Sequence, residues 1–155
     1  MLRRILAVTA VAAVALLAAE VVAGESSLPK GYRSWAHVKS MIITDKGHAL
    51  YGFHNVYANP QALEAMRKGS AYPKGSQLVV SFYEVAADGP MLSQGKKIMD
   101  TYMKKDASAK DTGGWVFGVF GPDGKPLQMD VVKGCYECHA GGAKGTDLVF
   151  SKFIE

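Results

Sequence analysis

Short apolar runs separated by turn-forming residues dominate most of the chain and predict strands rather than long helices. Four runs have the composition of strands: 35–44, 50–58, 77–85 and 114–120. In the last of these runs, alternation puts Trp115, Phe117 and Val119 on one face of the strand. Together the runs predict a small antiparallel β-sheet with apolar faces.

One short helix is predicted between the second and third of these strands. Asn59 is typical of an N-cap, Pro60 suits the first helical position, and Gly69 is typical of a helix end. Residues 86–95 are predicted to form a loop, whereas residues 97–105 fit either a helix face or an alternating strand. The pattern therefore predicts an α+β fold in which a short crossover helix joins two strands of the sheet.

The first residues of the chain differ from the rest. Two arginines precede an apolar run, 5–19, and Val21-Val22-Ala23 satisfies the small-x-small rule for cleavage. These features predict a secretory signal peptide at 1–23 and a single domain at 24–155, in a protein exported to the periplasm. The alternative is an uncleaved membrane anchor, but the run is shorter than the roughly 20 apolar residues that a spanning helix needs.

The charge of the chain is mild and scattered. The 155 residues carry a formal net charge of +4 at pH 7, and removal of residues 1–23, with two arginines and one glutamate, lowers it to +3. The lysines do not form a run of five or more. We therefore expect a solvated surface and no nucleic-acid partner.

The two cysteines carry the clearest chemistry in the sequence. Cys135 and Cys138 are separated by two residues and followed at once by His139, which is the C-x-x-C-H signature of haem attachment. A turn of helix puts both thiols on the same side, where they can add to the two vinyl groups of one porphyrin. His139 then lies under the iron as its proximal ligand. The sequence therefore predicts one covalent haem c on a C-terminal, haem-binding helical segment.

Two other interpretations of the cysteine pair have less support. A thioredoxin-like redox pair belongs near a βαβ pattern, which this sequence does not show, and it requires no following histidine. A closed zinc site needs four ligands, and the sequence has no second cysteine pair. Export also agrees with haem attachment, because bacteria attach c-type haem outside the cytoplasm.

The sixth position of the iron decides between electron transfer and ligand chemistry. A methionine or a second histidine would close the site, whereas an open position would admit a gas or a small substrate. Counting residues does not choose between these alternatives, because methionines often fill cores and histidines often lie on the surface. The candidate ligands are His37, His48, His54, Met41, Met66, Met91, Met99, Met103 and Met129.

Five segments and the C-x-x-C-H motif resemble those of cytochrome P-460 and its relatives, in the same order and with similar spacing. The segments are Lys30-Gly31-Tyr32-Arg33-Ser34-Trp35, Val56-Tyr57-Ala58-Asn59-Pro60, Tyr72-Pro73-Lys74-Gly75, Gly114-Trp115-Val116-Phe117 and Thr146-Asp147-Leu148-Val149-Phe150. The resemblance covers nearly all of residues 29–153. It implies a small antiparallel-sheet fold, commonly a homodimer, with a five-coordinate haem.

The family that the chain resembles has two branches with different functions. In the cytochrome P-460 branch a lysine bonds to the porphyrin and the protein oxidises hydroxylamine. In the cytochrome c′-beta branch this bond is absent, and the haem binds nitric oxide or carbon monoxide at an apolar distal pocket. The resemblance puts the cross-linking lysine five residues after Gly75, where this chain has Val80, and residues 77–85 contain no lysine. This departure favours the c′-beta branch.

Four residues on predicted strands are candidates for the distal side of the haem: Phe53, His54, Val80 and Phe82. His54 stands where relatives of the oxidising branch carry an arginine. Its side chain is suited to donating a hydrogen bond to an iron-bound ligand or to shuttling a proton, because the ordinary pKa of histidine lies near neutrality. Strand alternation leaves open whether His54 faces the haem or solvent.

These observations favour one function and leave two alternatives. We expect an exported c-type haem protein whose open iron binds small diatomic ligands, with electron exchange to an unidentified redox partner. One alternative is a hydroxylamine-oxidising or peroxidase-like enzyme in which His54 transfers a proton. The other is an electron-transfer cytochrome with a closed, six-coordinate iron.

Overall fold

The computed structural model describes residues 27–154, so the signal peptide predicted at 1–23 lies outside the described residues. None of the helices in the described range has the length and apolar character needed to cross a membrane. The regular elements are β1 (Ala36–Ile43), β2 (Gly52–Ala58), α1 (Pro60–Lys68), β3 (Gln77–Asp88), β4 (Met91–Lys105), β5 (Trp115–Phe120) and α2 (Glu137–Gly142), with a π-helical turn at Val132–Tyr136 directly before α2.

The five strands of residues 27–154 form one antiparallel sheet in the order β1-β2-β3-β4-β5. Each strand therefore pairs with its neighbour in sequence, and α1 stands in the connection between β2 and β3. The predicted α+β fold is confirmed, including the crossover helix and the helical segment near the C-terminus. All four runs that were predicted to be strands contain strands.

The prediction of a loop at residues 86–95 is wrong. β3 continues to Asp88 and β4 begins at Met91, so this stretch is a tight β-hairpin that extends the central pair of strands. Gly89 makes the turn with a φ of 56°, a left-handed conformation that glycine adopts without a steric penalty. Residues 97–105, whose side-chain pattern fits either a helix or a strand, belong to β4. Backbone pairing with β3 and β5 makes this stretch a strand.

Helix α1 begins at the residue that the sequence predicts and ends, as predicted, at Gly69, which the structure shows to be left-handed. Its N-cap is Asn59, whose Oδ1 accepts a hydrogen bond from the Ala62 N–H at 3.0 Å. The same oxygen accepts from the Gln77 N–H at 3.0 Å, and Nδ2 donates to the Gly75 carbonyl at 2.9 Å. Asn59 therefore ties the start of α1 to the start of β3.

Both faces of the sheet are covered, each by a different part of the chain. The front face packs against the C-terminal segment 131–149, and its core side chains are Val56, Leu78, Val80, Met103, Trp115 and Phe117. The back face packs against the N-terminal segment 28–35, and its core side chains are Tyr57, Val79, Tyr102 and Phe120. The residue alternation of each strand thus separates the two cores.

The back face also buries a polar network. The Asp100 side chain is fully buried and accepts hydrogen bonds from the hydroxyls of Tyr32 at 3.0 Å and Ser81 at 2.7 Å. Lys97 Nζ lies 2.5 Å from the other carboxylate oxygen of Asp100. The network joins the N-terminal segment to β3 and β4 and gives the buried charge an opposite charge and hydrogen-bond donors.

We predict that Asn59→Ala lowers the free energy of unfolding by about 2 kcal/mol, because it removes a helix cap and leaves buried backbone groups without partners. Urea denaturation followed by circular dichroism measures the loss. Asn59→Asp is the matched control, since it keeps the Oδ1 acceptor for the Ala62 and Gln77 N–H groups and replaces only the donor to the Gly75 carbonyl, by an oxygen, and it should lose less stability. An alanine variant as stable as the wild type would contradict this role of Asn59.

Candidate haem site

The segment that carries the cysteines starts at a capped turn. The Asp130 carboxylate accepts a hydrogen bond from the Val132 N–H at 3.1 Å, and the π-helical turn that follows contains Cys135. Cys138 lies in the first turn of α2. Both thiols are free, with Cys135 half-buried against the front-face core and Cys138 exposed. Burial, with a smaller effect of Cys138, raises the pKa of Cys135, so this thiol is protonated at neutral pH.

The imidazole of His139 is held in one orientation. Its Nδ1–H donates to the Leu148 carbonyl at 2.6 Å, which assigns the tautomer with a free lone pair on Nε2. The rings of Phe117 and Phe150 flank the imidazole edge-on, with centroid distances of 5.3 and 4.9 Å. Burial lowers the pKa of His139, which favours the neutral form. Nε2 is therefore the atom that His139 offers to a metal.

Two glycines allow apolar side chains to lie directly on the segment that carries the cysteines. A Cβ at Gly142 would come within 2.6 Å of the Phe150 ring, and a Cβ at Gly134 within 2.9 Å of Met129 Sδ. Phe150 and Met129 nevertheless remain 50% and 43% exposed. Exposed apolar side chains beside two thiols and a free imidazole nitrogen fit a large, mostly apolar group such as a haem.

Three of the four predicted distal residues share the front face of the sheet. The register pairs His54 with Phe82 and Val56 with Val80, and the Val56–Val80 pair contacts the core that includes Cys135. Phe82 is buried and Val80 is half-buried. Phe53 precedes His54 on β2, so alternation directs its side chain to the back face. The structure therefore brings His54, Val80 and Phe82 together and separates Phe53 from them.

His54 is buried and already hydrogen-bonded. It is 2% exposed, its ring centroid lies 4.4 Å from that of Phe82, and its Nε2–H donates to the Leu50 carbonyl at 2.7 Å. Burial lowers the pKa of His54 below its ordinary value of 6.5, although the bond to Leu50 opposes this shift. The imidazole is therefore neutral at neutral pH, and its Nε2 is occupied.

Two candidates for the sixth iron ligand lie on the front face beside His54 and Phe82. Met99 pairs with Phe82, and Met41 pairs with His54. Both methionine side chains are half-buried, which leaves part of each accessible to a bound group. A six-coordinate iron with a methionine as its sixth ligand is therefore still one of the alternatives.

The remaining candidate ligands are not strand partners of His54 or Phe82. His37 contacts Tyr57 of the back face at a centroid distance of 5.7 Å. His48 is exposed in the turn after β1, where its Nδ1 accepts a hydrogen bond from the Leu50 N–H at 3.0 Å. Met66 on α1 packs against the front-face core that contains the buried Met103, Met91 is exposed at the β3–β4 turn, and Met129 lies beside Gly134.

Sequence reasoning missed the residues that hold His139 in place. Leu148 accepts its hydrogen bond, and Phe117 and Phe150 flank its ring. A signal was present, because the segment 146–150 takes part in the family resemblance. The resemblance gave that segment no role, and only the folded chain brings it back to the imidazole.

The family model described as Cytochrome P460 matches residues 29–151, a range that contains all five strands and the cysteine segment. No curated protein gave a match to the chain. Members of this family bind haem, typically covalently, which agrees with the arrangement of the thiols and the imidazole. The chain therefore belongs to the cytochrome P-460 family and is a haem protein.

Proposed function

We propose that this chain is an exported c-type cytochrome of the c′-beta branch, which binds nitric oxide or carbon monoxide at an open iron site. Cys135 and Cys138 would hold the haem, and His139 would ligate the iron through Nε2. The observation that carries the proposal is the position of Val80, which packs against the same front-face core as Cys135, with Phe82 two residues along β3 on the same face. An apolar wall at this place supports binding of small apolar gases.

The side chains of the proposed distal wall act by excluding water rather than by donating hydrogen bonds. Val80 and Phe82 have no polar atoms, and burial keeps the neighbouring His54 neutral. Water and hydroxide lose hydrogen bonds beside such a wall, whereas nitric oxide and carbon monoxide lose little. A bound haem supplies the ferrous iron to which these gases coordinate, and the chain supplies the oriented imidazole of His139.

Two observations support an unmodified porphyrin and hence the c′-beta branch. Val80 occupies the position at which the resemblance puts the cross-linking lysine, and β3 contains no lysine. Lys105, at the end of β4, is engaged in an ion pair with Asp147 at 2.6 Å. Its amine is therefore occupied within the fold.

The two alternative functions each have one supporting observation. The family includes hydroxylamine-oxidising members, and His54 would be placed to move a proton if its bond to Leu50 opened. If Met41 or Met99 occupied the sixth position of the iron, the protein would be an electron-transfer cytochrome.

The periplasmic location, the homodimer and electron exchange with a redox partner are further parts of the proposal.

We predict a high-spin absorption spectrum for the purified haem protein, with a shift on adding carbon monoxide to the reduced form, because the sixth position is open. Phe82→Gln is expected to weaken carbon monoxide binding roughly tenfold, since a competing water gains about one hydrogen bond from the amide. Phe53→Gln, the same change on the back face, is the matched control and should bind like the wild type. Titration of the reduced protein with carbon monoxide measures both affinities.

Two other spectra would contradict the proposal in different ways. A low-spin spectrum that ignores carbon monoxide would mean a closed iron, and Met41→Leu and Met99→Leu would then identify the ligand by conversion to high spin. A strongly red-shifted Soret band would mean a cross-linked haem, so the inference from Val80 would be wrong and the hydroxylamine-oxidising alternative would move to first place.

We predict that Cys135→Ala combined with Cys138→Ala abolishes covalent haem attachment, because the sequence contains no other thiol. Extraction with acidified acetone should remove all haem from the double variant. Wild-type protein carried through the same procedure is the control and should retain its haem. Haem that resists extraction from the double variant would rule out attachment through these thiols.

We also predict that stability depends on pH through His54. Because burial lowers its folded-state pKa, the unfolded chain takes up a proton more readily, so the free energy of unfolding should fall as pH drops below about 6.5. His54→Gln should flatten this part of the curve. Urea denaturation of the haem-loaded protein between pH 5 and 8 measures the effect, with His48→Gln as the exposed control. Identical curves for the wild type and His54→Gln would show that His54 is not neutral and buried in the haem protein.

A further inference from the structure

The carbonyl that accepts the hydrogen bond of His139 belongs to an unusual stretch of backbone. Asp147 and Leu148 have φ values of 50° and 66°, so two consecutive residues other than glycine are left-handed. Such conformations persist only where the surroundings over-determine them, and they concentrate at functional sites. Aspartate tolerates this region, but leucine rarely adopts it. Without this conformation at residues 147 and 148, the Leu148 carbonyl would not point at His139 in the same way.

Three parts of the chain hold this stretch at Asp147. Trp115 Nε1–H donates to the Asp147 carbonyl at 3.0 Å, and Lys105 Nζ lies 2.6 Å from the carboxylate Oδ1. The Tyr72 N–H donates to Oδ2 at 3.1 Å. We call Tyr72, Lys105, Trp115 and Asp147 the proximal clamp.

The members of the proximal clamp also support one another. Lys105 Nζ lies 4.9 Å from the centroid of the Trp115 ring, a cation–π distance, and the Tyr72 ring packs edge-on against Trp115 at 5.4 Å. Trp115 is fully buried, and Lys105 and Asp147 keep only 19% and 24% of their side chains exposed. Partial burial strengthens an ion pair relative to one in open water. The clamp is therefore part of the front-face core and not a surface contact.

Leu148 is fixed from its other side as well. Its N–H donates to the Ala143 carbonyl at 2.9 Å, and its side chain is buried against Gly113. A Cβ at Gly113 would come within 2.9 Å of Leu148 Cδ1 and 3.2 Å of Tyr136 Cε2, so a side chain there would displace both. The Leu148 carbonyl is thus fixed by the backbone on either side and by its own side chain.

We propose that the proximal clamp sets the strength of the His139 Nδ1–H hydrogen bond and thereby tunes the haem iron. Asp147, Lys105 and Trp115 act as positioning residues, through Leu148. The inference rests on the proposed ligation of iron by His139. A strong bond at Nδ1 makes the imidazole a more basic ligand, which favours ferric iron and strengthens the iron–histidine bond. Weakening the clamp should therefore raise the reduction potential and lower the iron–histidine stretching frequency.

The test uses the haem-loaded protein and substitutions at two members of the clamp. Lys105→Met removes the ion pair, and Trp115→Phe removes the donor to the Asp147 carbonyl while keeping an aromatic ring. Both variants should show a higher reduction potential than the wild type. Both should also show a lower iron–histidine frequency in resonance Raman spectra of the reduced form. If Trp115→Phe does not fold, Asp147→Asn takes its place, because asparagine also tolerates the left-handed region.

Two controls separate tuning from a general loss of structure. Lys105→Arg can pair with the Asp147 carboxylate and should bring the potential back towards that of the wild type. Lys125→Met removes the same positive charge from an exposed ion pair with Asp123 and should leave the potential unchanged. Unchanged potentials and frequencies in both clamp variants, with folded protein, would overturn the clamp proposal.

A third substitution shows whether a failure concerns the clamp or the proposed function. His139→Gly should abolish the iron–histidine band and change the absorption spectrum of the haem. If His139→Gly leaves both unchanged, His139 is not the ligand, and the proposed function and the clamp both fail. If His139→Gly has the expected effect while the clamp variants do not, only the clamp proposal fails.

Discussion

The register between β2 and β3 is the constraint on which the arrangement of the site depends. His54 pairs with Phe82, and Val56 pairs with Val80, so these side chains share the face that receives the C-terminal segment. A shift of one residue in β3 would turn Val79 and Ser81 to that face instead. A hydroxyl would then replace a phenyl ring in the proposed distal wall, and the same sequence would present a different environment to a bound haem.

Asn59 is the residue best placed to fix this register. Helix α1 and the turn after it lie between two strands that are direct neighbours, so the connection must close with a defined offset. Asn59 binds the first turn of α1 and the first residue of β3 with one side-chain oxygen, and its amide holds the Gly75 carbonyl. The cap of a short helix thus also ties together the two strands, β2 and β3, that carry the proposed distal wall.

Most of the fold was predictable from the sequence because its signals are local. The apolar runs that became β2, β3 and β5 and the Asn59-Pro60 start of α1 depend on neighbouring residues, and the structure agrees with them. The hairpin at Gly89 was missed because its small and polar residues have little strand propensity. There the pairing of two backbones outweighs side-chain preference.

The candidate site was predictable only where its residues are adjacent in sequence. Cys135, Cys138 and His139 form one short motif, so their common chemistry can be recognised without a fold. The orientation of His54 relative to Phe53 depends on which face of β2 is the front face, and only tertiary packing decides that. The contact between Leu148 and His139 could not be predicted from the sequence for a further reason. The group of Leu148 that contacts His139 is a backbone carbonyl, and every residue has one.

The network on the back face has a consequence for how the domain folds. Tyr32 reaches Ser81 and Asp100 across 49 and 68 residues of chain, whereas each strand pairs with its neighbour in sequence. Loops of that length close slowly compared with hairpins. Until Tyr32 arrives, Asp100 lacks one of its donors and its side of the sheet stays hydrated. The N-terminal segment 28–35, although synthesised first among the described residues, should therefore be among the last to dock on the sheet. Its docking should limit the rate at which water leaves the back-face core.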